Sequence, residues 1–102
     1  MLVEMTQYKC RVEYPDDVRR IKDKLMEEGI TLKNSNVEKI VDNDLVDKNG
    51  VPMEFPDREW NFSSETPLET LREVMKTVVD AHVAVDTLEE EKNYTGERQP
   101  YR

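Results

Sequence analysis

The sequence predicts an α+β fold in which a small, mainly antiparallel sheet packs against two helices. Strict alternation of apolar and polar residues predicts a first strand at about 7–14. A turn signature flanked by apolar residues predicts a hairpin at about 39–55. Apolar residues at spacings of three and four predict helices at about 15–28 and 67–92. Together these segments indicate the α+β class.

The length and composition indicate one small domain. A chain of 102 residues can enclose one hydrophobic core but is too short for two ordinary domains. Apolar residues make up 36% and charged residues 37%, so we expect a small core under a heavily charged surface. We predict a single domain over residues 1–92. Residues 93–102 lack periodicity, and we expect a mobile C-terminal tail there.

The first strand and the first helix have clear local signals. Pro15 suits the first turn of a helix, and Gly29 suits the left-handed position that follows a helix end. Between them, apolar residues form one helical stripe: Val18, Ile21 and Leu25. In the strand, four residues alternate with charged ones and are expected to face the core: Tyr8, Cys10, Val12 and Tyr14.

Residues 31–46 are compatible with two structures. The stretch VEKIV is rich in branched residues and favours a strand, whereas the SNVE stretch just before it matches a capping box that could start a helix. We predict a strand. Asp47–Gly50 is a clear turn, because Asp favours its first position and Gly accepts a positive φ. Pro52 then indicates an edge strand, and we expect residues 55–65 to be a connecting loop.

The last helix has the strongest start signal in the chain. Thr66, Pro67 and Glu69 match an N-cap, a first helical position and the second half of a capping box. No glycine or proline interrupts the following residues, so the sequence predicts one helix over 67–92. A strand at 81–87 is the alternative, because the residues there also alternate and include valines.

The middle of this predicted helix is poor in charge on nearly every side. Residues 81–85 carry no charged side chain at neutral pH, and a helix that is apolar on most sides is normally enclosed on most sides. A small core has difficulty enclosing it alone, so we expect a second copy of the chain or another protein to cover it. The predicted partner interface follows a coiled-coil-like spacing: Leu71, Met75, Val78, His82, Val85 and Leu88.

The chain is strongly acidic, and the acidity is uneven. The net charge is −8, and residues 51–102 supply −6 of it, from 12 acidic and 6 basic residues. Such a field repels phosphate backbones and anionic membranes, so we expect neither direct nucleic-acid binding nor membrane association. Carboxylates along 54–91 suggest an alternative, a nucleic-acid mimic that blocks a basic DNA- or RNA-binding protein. The predicted acidic surface is Glu73, Asp80, Glu89, Glu90 and Glu91.

Few residues suggest chemistry. Cys10 is the only cysteine, which excludes an intramolecular disulfide and fits a reducing, cytoplasmic environment. His82 and Asp86 are four residues apart with Glu89 one turn further, so a weak metal-dependent enzyme that uses His82 and nearby acids is a second alternative. A metal site needs three or four ligands and the chain has no second histidine. We predict no catalytic residue, metal or cofactor.

The sequence therefore favours a non-catalytic binding protein. We expect a regulator, inhibitor or adaptor of the size and acidity typical of proteins from phages and other mobile elements. Its expected mode of action is protein–protein association through the long C-terminal helix, either as a homodimer or with another protein.

Overall fold

A computed structural model describes residues 4–91 and shows an α+β fold, with a four-stranded antiparallel sheet and three helices. The predicted fold class is confirmed. The predicted mobile tail at 93–102 lies outside the described residues. In chain order the elements are β1 (Thr6–Val12), α1 (Pro15–Glu27), β2 (Lys33–Val46), β3 (Pro52–Ser64), α2 (Leu68–Met75), α3 (His82–Thr87) and β4 (Glu89–Glu90). The strand order across the sheet is β2-β3-β1-β4.

The first strand and helix form where the sequence predicts them, but β1 ends at Val12 and the prediction that Tyr14 faces the core is wrong. In β1 every second side chain is buried, whereas Tyr14 lies beyond the strand and is exposed. Helix α1 begins at Pro15 and buries the predicted apolar stripe, together with Asp17. Gly29 has φ +81°, and the Ile30 amide just beyond it donates to the Leu25 carbonyl at 2.9 Å. This closure returns the chain to the core, where Ile30 is buried.

The hairpin is longer than predicted, because it spans Lys33–Val46 and Pro52–Ser64 rather than about 39–55. The ambiguous segment at 31–46 is mainly strand. The expected loop at 55–65 is instead the second half of β3, and that prediction is wrong. Trp60 and Phe62 are two residues apart in β3 and lie opposite Cys10 and Tyr8 of β1, so all four side chains reach the same core.

Strand β3 is an interior strand, which corrects the edge-strand prediction from Pro52. It pairs with β2 on one side and with β1 on the other. However, β1 reaches only as far as Arg58, so Pro52 lies where β3 has a single neighbour. Proline is tolerated there because no second strand needs its missing N–H.

The predicted helix over 67–92 is wrong, because the described part of this segment forms α2, a turn, α3 and the short strand β4. The break needs no glycine or proline. Asp80 adopts φ +67°, a left-handed conformation that costs an ordinary residue roughly 1–2 kcal/mol. Arg20 of α1 donates to the Val79 carbonyl at 2.9 Å and ties the turn down. The reversal buries four side chains in the same core as α2: Ala81, Ala84, Val85 and Leu88.

The core lies between the helices and one face of the sheet. Trp60 is its largest fully buried side chain, with its ring centroid 4.5 Å from that of Phe62. The buried polar atoms of the two largest aromatics are satisfied, since Trp60 Nε1 donates to Ser35 Oγ at 2.8 Å and Tyr8 donates to the Thr66 carbonyl at 2.6 Å. The first bond joins the two strands of the hairpin, and the second joins β1 to the segment before α2.

Candidate functional site

The predicted partner interface does not form a continuous surface. Leu71 and Met75 are fully buried, and Val85 and Leu88 are also core residues. Val78 is half-buried, and only His82 is exposed. The seam on a long helix is therefore corrected: the turn at Asp80 folds the uncharged segment onto its own core, so the subunit covers most of these side chains itself.

The predicted acidic residues are all exposed but belong to separate elements. Glu73 lies on α2 and pairs with Lys76 at 3.4 Å. Asp80 lies in the turn before α3. Glu89, in the edge strand β4, pairs with Lys9 of the neighbouring strand at 3.6 Å, and Glu90 and Glu91 follow it. These five residues therefore do not belong to the single helix predicted over 67–92.

His82 is the first residue of α3 and lines a shallow depression of about 340 Å³ with Asp80, Asp86 and Lys76. Within residues 4–91, no three His, Cys, Asp or Glu side chains are grouped so that they could hold a metal ion. The neighbouring Lys76 adds a cationic group, which does not suit cation binding.

The pKa values of Cys10 and Tyr8 are both raised. Burial raises the pKa of the Cys10 thiol to about 12, and the negative charge of Glu59 acts in the same direction. Burial also raises the pKa of Tyr8, with a further contribution from Glu90. Cys10 is therefore a protonated thiol at neutral pH, and it does not have the thiolate that a nucleophile requires.

The distal half of the β2–β3 hairpin is the most distinctive surface of the structure. Strand β1 ends at Val12, which lies opposite Arg58, and Arg58 in turn lies opposite Lys39. Beyond this row, the two strands have no other pairing partner among residues 4–91. We call residues 40–57 the hairpin arm. None of its residues is buried.

Exposed apolar side chains are concentrated on the hairpin arm. Ten large hydrophobic residues in the described chain are exposed, and five of them belong to the arm, with 45–56% of each side chain accessible: Val41, Leu45, Val46, Val51 and Met53. Val37, just before the arm, is also exposed, and Ile40 and Phe55 are half-buried. Apolar side chains that the described part of the chain leaves uncovered are typical of an interaction surface.

The two faces of the hairpin arm have similar chemistry. Asp42 lies opposite Met53, and the next pair, Val41 and Glu54, points to the other face. Each of these central pairs therefore joins one apolar and one acidic side chain. Register irregularities lie on both sides of them, which increases the twist of the ribbon.

The tip of the hairpin arm is well fixed by its turn. The Asp47 carboxylate accepts the backbone N–H groups of Asn49 at 2.8 Å and Val51 at 3.0 Å. The Gly50 amide donates to the Asp47 carbonyl at 2.9 Å, and Gly50 has φ +81°. The predicted turn at Asp47–Gly50 is thus confirmed, and it holds the two strands in register despite their lack of a third neighbour.

The hairpin arm carries a large share of the negative charge. Residues 40–57 contain five carboxylates and one lysine, which gives them a net charge of −4, compared with −8 for the whole chain. At the base of the arm Glu54 pairs with Lys39 at 3.2 Å. The remaining acids are Asp42, Asp44, Asp47 and Asp57.

No protein-family model matches this chain, and no curated protein matches it significantly. Among residues 4–91, no helix combines the length and the apolar character needed to cross a membrane.

The sequence reasoning missed the hairpin arm, although a signal was present. Apolar residues occur at consecutive positions twice in the strand before the turn, at Ile40–Val41 and Leu45–Val46. Consecutive residues of a strand point to opposite faces, so a hairpin with such pairs has apolar side chains on both faces. A four-stranded sheet with one helical layer can cover only one of them.

Proposed function

We propose that this protein is a small non-catalytic binding protein, a regulator, inhibitor or adaptor, and that it associates with another protein through the hairpin arm. This proposal moves the contact from the C-terminal segment to the β2–β3 hairpin. The observation that carries it is the concentration of exposed apolar side chains on residues 40–57, where none of the residues is buried.

The shape of the hairpin arm supports a macromolecular partner. Sites for small molecules are concave and enclose most of the ligand, whereas a two-stranded ribbon projects from the domain. An isolated two-stranded hairpin is at best marginally stable in water. A partner that covers its apolar side chains would therefore both bind the ribbon and order it.

Site-specific photo-cross-linking tests the proposal directly. A photoreactive phenylalanine analogue is placed at Leu45 or Met53 of the arm and, as matched controls, at Met26 or Val79, which are exposed apolar residues outside it (70% and 72%). Each full-length protein is incubated with an extract of its host cells and irradiated. We expect the same protein to be cross-linked from both arm positions and from neither control position.

Competition completes the experiment. Unlabelled wild-type protein should suppress this cross-link, whereas an unlabelled variant with Leu45→Ser and Met53→Ser should not. Circular dichroism and thermal denaturation establish that the variant is folded, as expected because neither side chain belongs to the core. Adducts that form only from Met26 or Val79, or competition that is equal for both proteins, would refute the assignment to the arm.

A further inference from the structure

We propose that the hairpin arm binds a basic protein surface, an apolar groove bordered by lysine or arginine side chains, rather than a second copy of this chain. The inference rests on the proposed function and specifies the chemistry of the partner. It follows from three features of residues 40–57: their charge, the mixing of acids with apolar side chains, and the number of carboxylates without an ion pair.

The charge of the hairpin arm opposes self-association. Each arm has a net charge of −4, so two arms packed together would gather ten carboxylates against two lysines. At physiological ionic strength charges interact over about 8 Å, and the carboxylates of two contacting ribbons would lie within that range. Like charges placed across an interface suppress that pairing, whereas opposite charges favour association.

The acids and the apolar side chains of the hairpin arm cannot be contacted separately. Asp42 is opposite Met53 on one face, and Glu54 is opposite Val41 on the other. A groove that covers Met53 or Val41 therefore brings its own side chains beside a carboxylate. An apolar rim would remove that carboxylate from water without compensation, but a lysine or arginine there would pair with it.

Part of the negative charge of the hairpin arm remains available to a partner. Within residues 4–91, Glu54 is the only acid of the arm that forms a salt bridge. Asp42 and Asp47 accept backbone N–H groups of the ribbon itself. Asp44 is exposed and Asp57 is half-buried. A carboxylate without an ion pair attracts a cation more strongly than one that is already paired. The four acids of the arm other than Glu54 are therefore the strongest points of attraction for a cationic rim.

Three synthetic peptides serve as probes of this chemistry. One alternates lysine with leucine, the second alternates lysine with serine, and the third alternates glutamate with leucine. Each is titrated into the full-length, ¹⁵N-labelled protein and followed by NMR. We expect the Lys–Leu peptide to shift the amide signals of residues 40–57, the Lys–Ser peptide to bind at least ten-fold more weakly, and the Glu–Leu peptide not to bind the arm.

Matched charge variants identify the groups responsible. The arm variant combines Asp42→Asn, Asp44→Asn, Glu54→Gln and Asp57→Asn, and it keeps every hydrogen-bond acceptor in place. If each of the four carboxylates forms one ion pair of modest strength with a lysine of the Lys–Leu peptide, the arm variant should bind this peptide at least about ten-fold more weakly. The control variant neutralises four exposed acids elsewhere, and its affinity should change less than two-fold: Glu13→Gln, Glu65→Gln, Asp86→Asn and Glu91→Gln.

The outcomes separate this inference from the proposed function. Absence of binding by the Lys–Leu peptide, equal binding of the Glu–Leu peptide, or equal effects of the two charge variants would overturn the inference. So would a dimer in sedimentation velocity that Leu45→Ser with Met53→Ser abolishes. If cross-linking from Leu45 still captures a partner in any of these cases, the proposed function stands and only the basic character of the partner is refuted.

Discussion

Replacement of Leu88 by alanine tests whether the C-terminal segment is core or interface. Leu88 is 1% exposed and belongs to the same cluster as Leu71 and Met75. The substitution removes three carbon atoms, worth about 2.4 kcal/mol at ~0.8 kcal/mol per buried methylene. A residual cavity adds to this, so we expect the free energy of unfolding to fall by about 3 kcal/mol.

Urea denaturation provides the measurement. With a slope of roughly 2 kcal/mol per molar urea, a loss of about 3 kcal/mol lowers the midpoint by about 1.5 M. Leu45→Ala is the matched control, because the same atoms are removed from a side chain that is 50% exposed on the hairpin arm. Its free energy of unfolding should change by no more than about 0.5 kcal/mol.

Protein concentration distinguishes a core residue from a dimer contact. If Leu88 belonged to an obligate dimer interface, the wild-type midpoint would rise with protein concentration, because association is linked to folding. We expect the midpoint to be unchanged over a hundred-fold range of concentration. A concentration-dependent midpoint, or a loss in Leu88→Ala no larger than that in Leu45→Ala, would refute the assignment of this segment to the core.

Three further predictions concern the turn at Asp47–Gly50, the Cys10 thiol and the turn before α3. Asp47→Ala should accelerate hydrogen exchange in residues 41–54, measured by mass spectrometry, and leave that of α1 unchanged. The reason is that the lost carboxylate accepts N–H groups of the hairpin tip. Equal acceleration in both segments would contradict this. In the wild type, stability should fall as pH rises from about 9 to about 12, since the unfolded Cys10 thiol ionises near 9 and the folded one has a pKa of about 12. Cys10→Ala should reduce this fall in chemical denaturation at each pH, and an unchanged profile would argue against burial of the thiol. Asp80→Val should lower the melting temperature by an amount equivalent to more than about 1 kcal/mol. Asp80→Gly should not lower it, because glycine accepts φ +67°. Equal effects of the two variants would show that the turn is unstrained.

The parts of the fold that sequence reasoning predicts are those fixed by local interactions. The alternation of β1, the start of α1 at Pro15 and the turn at Asp47–Gly50 each depend on residues only a few positions apart. Tyr8 and Cys10 face the core because the strand period places them on the same side, whatever packs against them.

The errors arose where tertiary contacts outweighed local preference. Trp60 and Phe62 lie among prolines and charged residues that are typical of loops, yet burial of the two rings against β1 extends the strand through them. The last predicted helix has no breaking residue, but burial of Ala81, Ala84, Val85 and Leu88 in the core offsets the strain at Asp80. In both cases the burial depends on residues that are distant in the sequence, so local patterns cannot predict the outcome.

The candidate site was only partly predictable, for a related reason. Whether the side chains of Val41 or Met53 are covered depends on where β1 ends, and no local pattern states that β1 stops opposite Arg58. The sequence did indicate an uncovered apolar surface, but it assigned that surface to the segment around His82 instead of the hairpin.

The separation of the hairpin arm from the core has an evolutionary consequence. Substitutions at surface positions usually have small effects on stability, and none of the residues from 40 to 57 is buried. Outside the turn at Asp47–Gly50, natural selection can therefore alter this ribbon while the body keeps its packing. Selection for binding to an altered partner would then change residues of the hairpin arm and leave the packed core unchanged.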